Sequence, residues 1–213
     1  MTPPIIRTAS EMYVYEKHIM EEKHVPALLL MEGAAQAIYR QMVKTIAPTS
    51  HILAVAGSGN NGADAIAVAR LFVIHGGSAT VLLMGDPLHA SVENQQQQAM
   101  FESYGGSVTT QLADVHFNDY DAVIDGLFGI GLNRPVIGTA ADVIDAVNLT
   151  TKPRIYAVDV PSGLSVETGV AFSPCVKADE TITFGCYKHG MELTALAPYF
   201  GNITVDDIGF FIE

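Results

Sequence analysis

A glycine-rich segment with polar side chains is the first candidate for chemistry in this chain. Residues 57–62 match the pattern G-x-G-x-x-G and include Asn60 and Asn61, with Asp64 two residues further on. At the start of a helix, such a turn brings free backbone N–H groups and the positive end of the helix dipole close to an anion such as a phosphate. Similar turns also occur for packing alone, with Asn61 as a helix cap and Asp64 in the first helical turn. Because a carboxylate would repel a nearby pyrophosphate, we expect Asp64 to contact a sugar hydroxyl, a bound cation or only the helix end.

Two further polar segments follow apolar runs later in the sequence. Asp125 precedes a glycine-rich stretch that ends at Pro135 and contains Arg134, which could contact a phosphate or lie on the surface. Asp159 opens a segment that ends at Gly163. Both aspartates also have a structural interpretation, since Asp125 could cap its loop and Asp159 could hold the following turn through an Asx-type bond. We favour a functional role for Asp159 and weigh the two interpretations of Asp125 equally.

Motifs of other chemistries are absent from the sequence. It contains no G-x-S-x-G, no H-E-x-x-H and no Walker lysine after the glycine turn. His189, beside Lys188, is typical of a surface residue. Asp86 lies where a dinucleotide dehydrogenase would hold its ribose, but a turn before Pro87 explains it better.

These polar segments must be positioned by the elements around them. Apolar periodicity predicts strands over 52–56, 78–84, 120–125 and 154–158, and further strands, edge or antiparallel, over 180–184 and 203–205. It predicts helices from Thr8 or Ser10 to about His24 and over 27–43, 63–74, 89–104 and 140–147, with the glutamines of the fourth helix on a solvated face. The alternation indicates an α/β fold with a mainly parallel sheet. Since ligands bind beyond the carboxyl ends of such strands, we expect the three polar segments to form one pocket.

Composition limits the class of protein and its partners. With 213 residues, of which 49% are hydrophobic and 16% charged, the chain is predicted to form a single domain over residues 1–213. The net charge of -12 opposes nucleic-acid binding, and an anionic nucleotide would need backbone amides or a cation. Cys175 and Cys186 suit buried thiols in a reducing cytoplasm. Because neither a signal peptide nor a membrane-spanning run is found, we expect a cytoplasmic protein without membrane contact.

Several segments together resemble a known family. In chain order they are GSGNNGAD, VIDGLFGIGLNRP, YAVDVPSGLSVETG, VKADETITFGCYKHG and GNITVDDIG. This set resembles the NAD(P)H-hydrate epimerase family, the YjeF N-terminal domain, and LLLMEGAA resembles that family's LMENAG. The sequence departs from the family pattern at Ala63 and Ala65, where glycine is usual, and at Gly33, where asparagine is usual.

The resemblance implies a fold, an activity and a site. The fold is a Rossmann-like three-layer α/β/α sandwich with N-terminal helices, usually dimeric. The activity interconverts the R and S epimers of NADHX and NADPHX in nicotinamide nucleotide repair, beside a separate NAD(P)H-hydrate dehydratase. A potassium ion is implied at Asn61, Asp125 and Ser162. Substrate contacts are implied at Asn60, Asn61, Gly62, Ala63, Asp64, Gly129, Ile130, Gly131, Leu132, Asn133, Arg134, Pro135 and Asp159.

A mechanism and two alternatives accompany this interpretation. As a hypothesis, Asp159 is the catalytic acid and base, with a carboxyl pKa raised toward neutrality by partial burial. One alternative is an NAD(P)-dependent oxidoreductase, suggested by the glycine pattern and Asp86. The other is a noncatalytic binding scaffold of the same fold. The joint presence of Asp159 with Asn61, Asp125 and Ser162 argues against the scaffold.

Overall fold

The computed structural model describes residues 5–211, within which the chain forms eleven strands and six α-helices. The strands are β1 (Ile6–Arg7), β2 (His51–Ala56), β3 (Ser78–Leu83), β4 (Ser107–Thr109), β5 (Ala122–Gly126), β6 (Arg154–Val158), β7 (Leu164–Ser165), β8 (Val170–Ala171), β9 (Glu180–Phe184), β10 (Tyr187–Lys188) and β11 (Asn202–Asp206). The helices are α1 (Ala9–Glu22), α2 (Ala27–Met42), α3 (Asn60–Ile74), α4 (Val92–Ser103), α5 (Thr139–Asn148) and α6 (Ala197–Phe200).

Seven of these strands form one central sheet in the order β11-β9-β6-β5-β2-β3-β4. Every pair of neighbours in it is parallel. The predicted mainly parallel sheet is therefore confirmed. The last two strands were predicted to be edge or antiparallel strands. In the structure β11 lies at one edge of the sheet, β9 lies inside it, and both are parallel to their neighbours.

Helices cover both faces of this sheet, as the alternation of side chains along β2 shows. Ile52 belongs to a core that includes buried residues of α1, α2, α3 and α4. Its neighbour Leu53 points to the opposite face and packs in a second core with Val143 and Val147 of α5. Two cores separated by one sheet confirm the three-layer α/β/α arrangement.

The order of the strands places the ligand edge of the sheet. From β2 the chain moves outward to β3 and β4, and then returns to β5 on the other side of β2. Connections that leave two adjacent strands in opposite directions open a crevice at their carboxyl ends, the usual ligand site of such sheets. The loops after β2, β5 and β6 all lie at this edge.

The N-terminal helices begin where the sequence predicts. Thr8 is the N-cap of α1, and it forms a capping box with Glu11. Pro26 is the N-cap of α2. Both cysteines are free and buried, as expected. Among residues 5–211, no helix is long and apolar enough to cross a membrane.

Candidate active site

A cavity of about 940 Å³ lies at the carboxyl edge of the sheet. Its walls come from the turn after β2, the loop after β5, Asp159 after β6 and the α1 helix. Of the predicted substrate-binding residues, those that line it are Asn60, Asn61, Gly62, Asp64, Gly129, Ile130, Gly131, Leu132, Asn133, Arg134 and Asp159. Two are not in the lining: Ala63 is fully buried beneath it, and Pro135 is exposed.

Two of the three glycines in the first turn are required by close backbone contacts. A Cβ atom at Gly57 would lie 2.1 Å from the Leu127 carbonyl oxygen, and one at Gly62 would lie 1.9 Å from the Gly57 carbonyl oxygen. A Cβ at Gly59 would meet nothing within 4 Å. Packing therefore explains Gly57 and Gly62, and the same packing presses the turn after β2 against the loop after β5.

The α3 helix begins three residues earlier than predicted, at Asn60. Gly59 is its N-cap, without a side-chain cap, and the first turn contains no acidic residue. The interpretation of Asn61 as the cap, with Asp64 in the first turn, is therefore wrong. Instead, Asn61 Nδ2 donates a hydrogen bond of 3.0 Å to the Phe128 carbonyl oxygen, which links α3 to the loop after β5.

The α4 helix holds the glycine turn from behind. Asn94 is fully buried, and its Nδ2 donates to the carbonyl oxygens of Gly57 at 2.9 Å and Gly59 at 3.1 Å. One turn later, Gln97 is only 1% exposed. The prediction of a solvated glutamine face is thus wrong for Gln97, because this side of α4 packs against α3.

Asp125, Phe128 and Ser162 form a buried hydrogen-bond network between β5 and β6. The Asp125 carboxylate accepts bonds from the Ser162 backbone N–H at 2.7 Å and the Ser162 hydroxyl at 2.6 Å. Phe128 N donates to Ser162 Oγ at 2.8 Å. Burial raises the pKa of Asp125 to about 6, and the Ser162 and Leu127 hydrogen bonds oppose that rise.

This network brings the three predicted potassium ligands together. The Phe128 carbonyl accepts from Asn61 Nδ2 at 3.0 Å and lies 3.2 Å from Ser162 Oγ, which is bonded to Asp125. Asp125 also accepts a weak bond of 3.3 Å from Leu127 N, so its loop-capping role is present as well. Within residues 5–211, no group of three or more His, Cys, Asp or Glu side chains is arranged to hold a metal ion. The groups gathered here are instead the Asn61 amide, the Ser162 hydroxyl, the Phe128 carbonyl and the single Asp125 carboxylate.

Asp159 occupies an unusual position after β6. Its backbone has φ of 62°, a left-handed conformation that is uncommon for residues other than glycine and is often found at functional sites. Its Oδ1 accepts from Thr183 Oγ1 at 2.7 Å and lies 2.8 Å from Lys188 Nζ. The side chain thus binds β9 and β10 rather than the turn that follows it. The sequence-based hypothesis considered only partial burial of this carboxyl, whereas the structure also pairs it with a cation.

Several residues that contribute to this site were not predicted from the sequence, among them Tyr13, Glu16 and Lys188. Tyr13 and Glu16 line the cavity from α1, and their i, i+3 spacing places them on one helix face. Lys188, which we assigned no role, is 1% exposed and donates to the Phe184 carbonyl oxygen at 2.6 Å and Thr183 Oγ1 at 2.9 Å. The spacing on α1 was the available sequence signal. Nothing in the sequence around Lys188 indicated that its ammonium group would be buried.

Carboxyl groups give the cavity a negative electrostatic potential. Burial raises the pKa of Glu16 to about 7, the Asp159 charge adds to the rise and Lys188 opposes it. The pKa of Asp64 is also raised well above its ordinary value, first by burial and then by Asp159 and Glu16. Burial, followed by the Glu16 and Asp159 charges, raises the pKa of Tyr13. Protons or a cation must offset this charge when an anionic ligand enters.

The oxidoreductase alternative finds little support in this geometry. Asp86 caps the short 3₁₀-helix Pro87–His89, where its carboxylate accepts from Leu88 N at 2.9 Å. The turn interpretation of Asp86 is thus confirmed, and the carboxylate lies outside the cavity lining.

The sheet order, the glycine turn at the switch point and the cavity beyond it define a Rossmann-like α/β protein with a ligand site at the carboxyl edge of its strands. Residues 27–190 match the family described as YjeF-related protein N-terminus. This match spans most of the sequence, and the chain belongs to that family.

Related bacterial proteins match almost the whole chain. The NAD(P)H-hydrate epimerase of Limosilactobacillus reuteri (strain ATCC 55730 / SD2112) is 39% identical over 211 residues, 98% of each chain. Proteins of the same name are 36% identical over 206 residues in Levilactobacillus brevis, covering 97% of this chain and 94% of that protein. In Oenococcus oeni the identity is 31% over 205 residues, 96% of each chain. The crystal structure of yeast ynu0, YNL200c, has the same fold, with a TM-score of 0.75 at 18% identity over 87% of this chain and 82% of that one.

Proposed function

We propose that this chain is an NAD(P)H-hydrate epimerase, an isomerase that interconverts the R and S epimers of NADHX and NADPHX. The observation that carries the proposal is the convergence of three strand ends on one cavity of about 940 Å³, large enough for a dinucleotide. Family membership and the name shared by relatives at 31–39% identity support the same activity.

The dinucleotide would bind mainly through backbone groups. Its pyrophosphate would lie at the N-terminus of α3, where Asn60 and Gly62 line the cavity and the first N–H groups of the helix are free. The loop 129–135 would close over it from the β5 side, with Arg134 available to pair with a phosphate. Backbone amides suit this acidic chain because they bind an anion without requiring many Lys or Arg side chains.

A potassium ion held by Asn61, Asp125 and Ser162 is part of the proposal. Support comes from the Phe128 carbonyl, Ser162 hydroxyl and Asp125 carboxylate oxygens, which suit a hard cation. Asn61 would turn its amide oxygen toward the ion and give up the hydrogen bond that its Nδ2 donates to Phe128. The space beside Asn61 depends on Gly129, where a Cβ would lie 3.0 Å from Asn61 Oδ1. When bound, the ion would supply positive charge beside the pyrophosphate.

The proposed chemistry needs little more than proton transfer and orientation. The carbon that bears the added hydroxyl adjoins a ring nitrogen. Once the hydroxyl is protonated, the lone pair of this nitrogen can expel it as water. The intermediate is a planar iminium, and water can add to either of its faces. Asp159 is the proposed proton-transfer group, held in one orientation by Thr183 and Lys188.

The proposal extends to the cellular setting and to the oligomeric state. Two free, buried cysteines suit a reducing cytoplasm. Exposed apolar side chains on α1 and α2, such as Val14 at 71% and Leu29 at 47%, suit burial in a homodimer. A separate NAD(P)H-hydrate dehydratase would consume the epimer that this enzyme supplies.

Chromatography of the NADHX epimers tests the function directly. A sample enriched in one epimer is incubated with protein, in potassium and then in tetramethylammonium, which is too bulky for the Asn61 site. We expect fast equilibration of the two epimers in potassium and slower equilibration in the organic cation. Equilibration no faster than in buffer alone would refute the epimerase, and equal rates in the two salts would refute only the potassium site.

A further inference from the structure

We propose that Glu16 is a second proton-transfer residue of this cavity: it protonates the departing hydroxyl while the Asp159 carboxylate accepts a proton from the incoming water. The inference rests on the proposed epimerase function and deepens it. In the sequence-based hypothesis Asp159 was both acid and base. Here Glu16 is the acid and Asp159 is the base.

The two carboxyl groups reach the cavity from different elements. Asp159 follows β6 at the sheet edge, whereas Glu16 projects from α1, and both line the same space. Glu16 also lines a smaller adjoining cavity of about 120 Å³ with apolar side chains that include Met20, Leu30 and Phe211. One carboxyl therefore stands at the mainly apolar side of the site and the other at the polar side.

Their partners differ in the same way. Asp159 Oδ1 lies 2.8 Å from Lys188 Nζ and accepts from Thr183 Oγ1 at 2.7 Å. Lys188 is itself fixed, because it is 1% exposed and donates to the Phe184 carbonyl oxygen at 2.6 Å. Within residues 5–211, the Glu16 side chain forms no ion pair and accepts no hydrogen bond. Asp159 thus has a direct cationic partner, whereas Lys188 acts on Glu16 only from beyond ion-pair distance.

The charged and titratable groups around Glu16 favour its protonated form. Tyr13 lies beside it on α1, Asp159 and Asp64 line the same cavity, and Lys188 is the nearby cation. Burial and the Asp159 charge raise the pKa of Glu16 to about 7, and Lys188 moderates the rise. A general acid is most effective when its pKa is close to the working pH, which is the condition met here.

The proposed cycle balances in protons and electrons. Glu16 gives its proton to the hydroxyl, the carbon–oxygen bond breaks, water departs and the nitrogen lone pair completes the iminium. Water then attacks the opposite face, its oxygen forms the new carbon–oxygen bond, the electron pair returns to nitrogen and Asp159 takes the released proton. Proton exchange with solvent in the open cavity restores the starting state, and no oxidant or reductant is consumed.

The test compares wild type with Glu16→Gln in the epimer assay. We expect kcat to fall about 100-fold or more, the range for loss of a general acid, while KM changes less than about threefold. In wild type, kcat should decline as the pH rises through about 7, and Glu16→Gln should lack this decline. Glu21→Gln on the same helix is the matched control, because the Glu21 side chain is 66% exposed and pairs with Lys17 at the surface, and the variant should retain wild-type kinetics.

The possible results separate the two proposals. A Glu16→Gln protein with wild-type kcat and an unchanged pH profile would overturn the role of Glu16. If this variant does not fold, Glu16→Asp decides instead: partial activity with a displaced alkaline limb supports the role, and an unmoved limb overturns it. A wild-type protein that does not accelerate epimer equilibration would contradict the epimerase function itself.

Discussion

Asp125 and Ser162, 37 positions apart in the chain, are joined by two hydrogen bonds, of 2.7 Å to the Ser162 backbone N–H and 2.6 Å to its hydroxyl. Both residues are almost completely buried. The pair ties the end of β5 to the segment after β6 and, through Phe128, to Asn61 on α3. One buried carboxylate thus fixes the relative positions of all three polar segments.

Removal of the Ser162 hydroxyl should weaken the connection between the end of β5 and the segment after β6. We expect Ser162→Ala to lower the free energy of unfolding by about 1–3 kcal/mol, because a buried carboxylate loses a donor and Phe128 N loses its acceptor. It should also reduce the stabilisation by potassium relative to tetramethylammonium. Urea unfolding in each salt measures both effects. Ser103→Ala, at an exposed position on α4, should change the free energy by less than about 0.5 kcal/mol, and an equal change in both variants would contradict the prediction.

Replacement of Asp159 should separate turnover from binding. Asp159→Asn is expected to abolish epimerisation, since an amide can neither accept nor return the proton, while substrate affinity stays largely intact. The variant should also be less stable, because Lys188 remains buried without its counter-charge. Calorimetric titration with substrate and the epimer assay give the two readouts, with Asp114→Asn at the surface as control. An active Asp159→Asn enzyme would remove Asp159 from the mechanism.

The fold was predictable because its signals are local. The apolar run at 52–56 and the glycine turn after it predict a buried strand followed by a helix, and β2 and α3 are found there. Two-residue alternation and helical periodicity depend only on neighbours in sequence, so they survive without tertiary information. The boundary of α3 was missed by three residues because Asn61 bonds to Phe128 of a distant loop instead of capping its own helix.

The parts of the site that escaped prediction depend on long-range contacts. Lys188 is buried because β10 pairs with β1, a contact between the two ends of the chain. Glu16 faces the cavity because α1 packs over the carboxyl edge of the sheet. Asn94 appears in a polar, glutamine-rich helix, yet it bonds to the glycine turn across 35–37 positions. A sequence shows the residue type in each case but not the partner that gives it a role.

The glycine pattern yields a prediction with an internal control. Gly62→Ala should prevent formation of the turn or destabilise the protein by several kcal/mol, because its Cβ would lie 1.9 Å from the Gly57 carbonyl oxygen. Gly59→Ala should fold with nearly unchanged stability, since its Cβ meets nothing within 4 Å. Thermal unfolding of the two variants measures the difference. Similar midpoints would show that the close backbone contact is not what selects glycine at 62.

Stability should depend on pH through Glu16. Its pKa is about 7 in the folded protein against an ordinary value of 4.5, so over this interval the folded state holds a proton that the unfolded chain releases. The stability contributed by this group is complete below about pH 4.5 and is lost as the pH rises through about 7. Glutamine does not titrate, so Glu16→Gln lacks this loss. When the pH is raised from 5 to 8, the unfolding free energy of wild type should fall relative to that of Glu16→Gln, by about 3 kcal/mol at most. Urea unfolding at each pH measures this slope, with the exposed Glu21→Gln variant as the matched control. The difference in unfolding free energy between wild type and Glu16→Gln could instead stay constant with pH. The Glu16 carboxyl would then have the same pKa in the folded and unfolded chain. It would lack the near-neutral pKa that its role as proton donor requires.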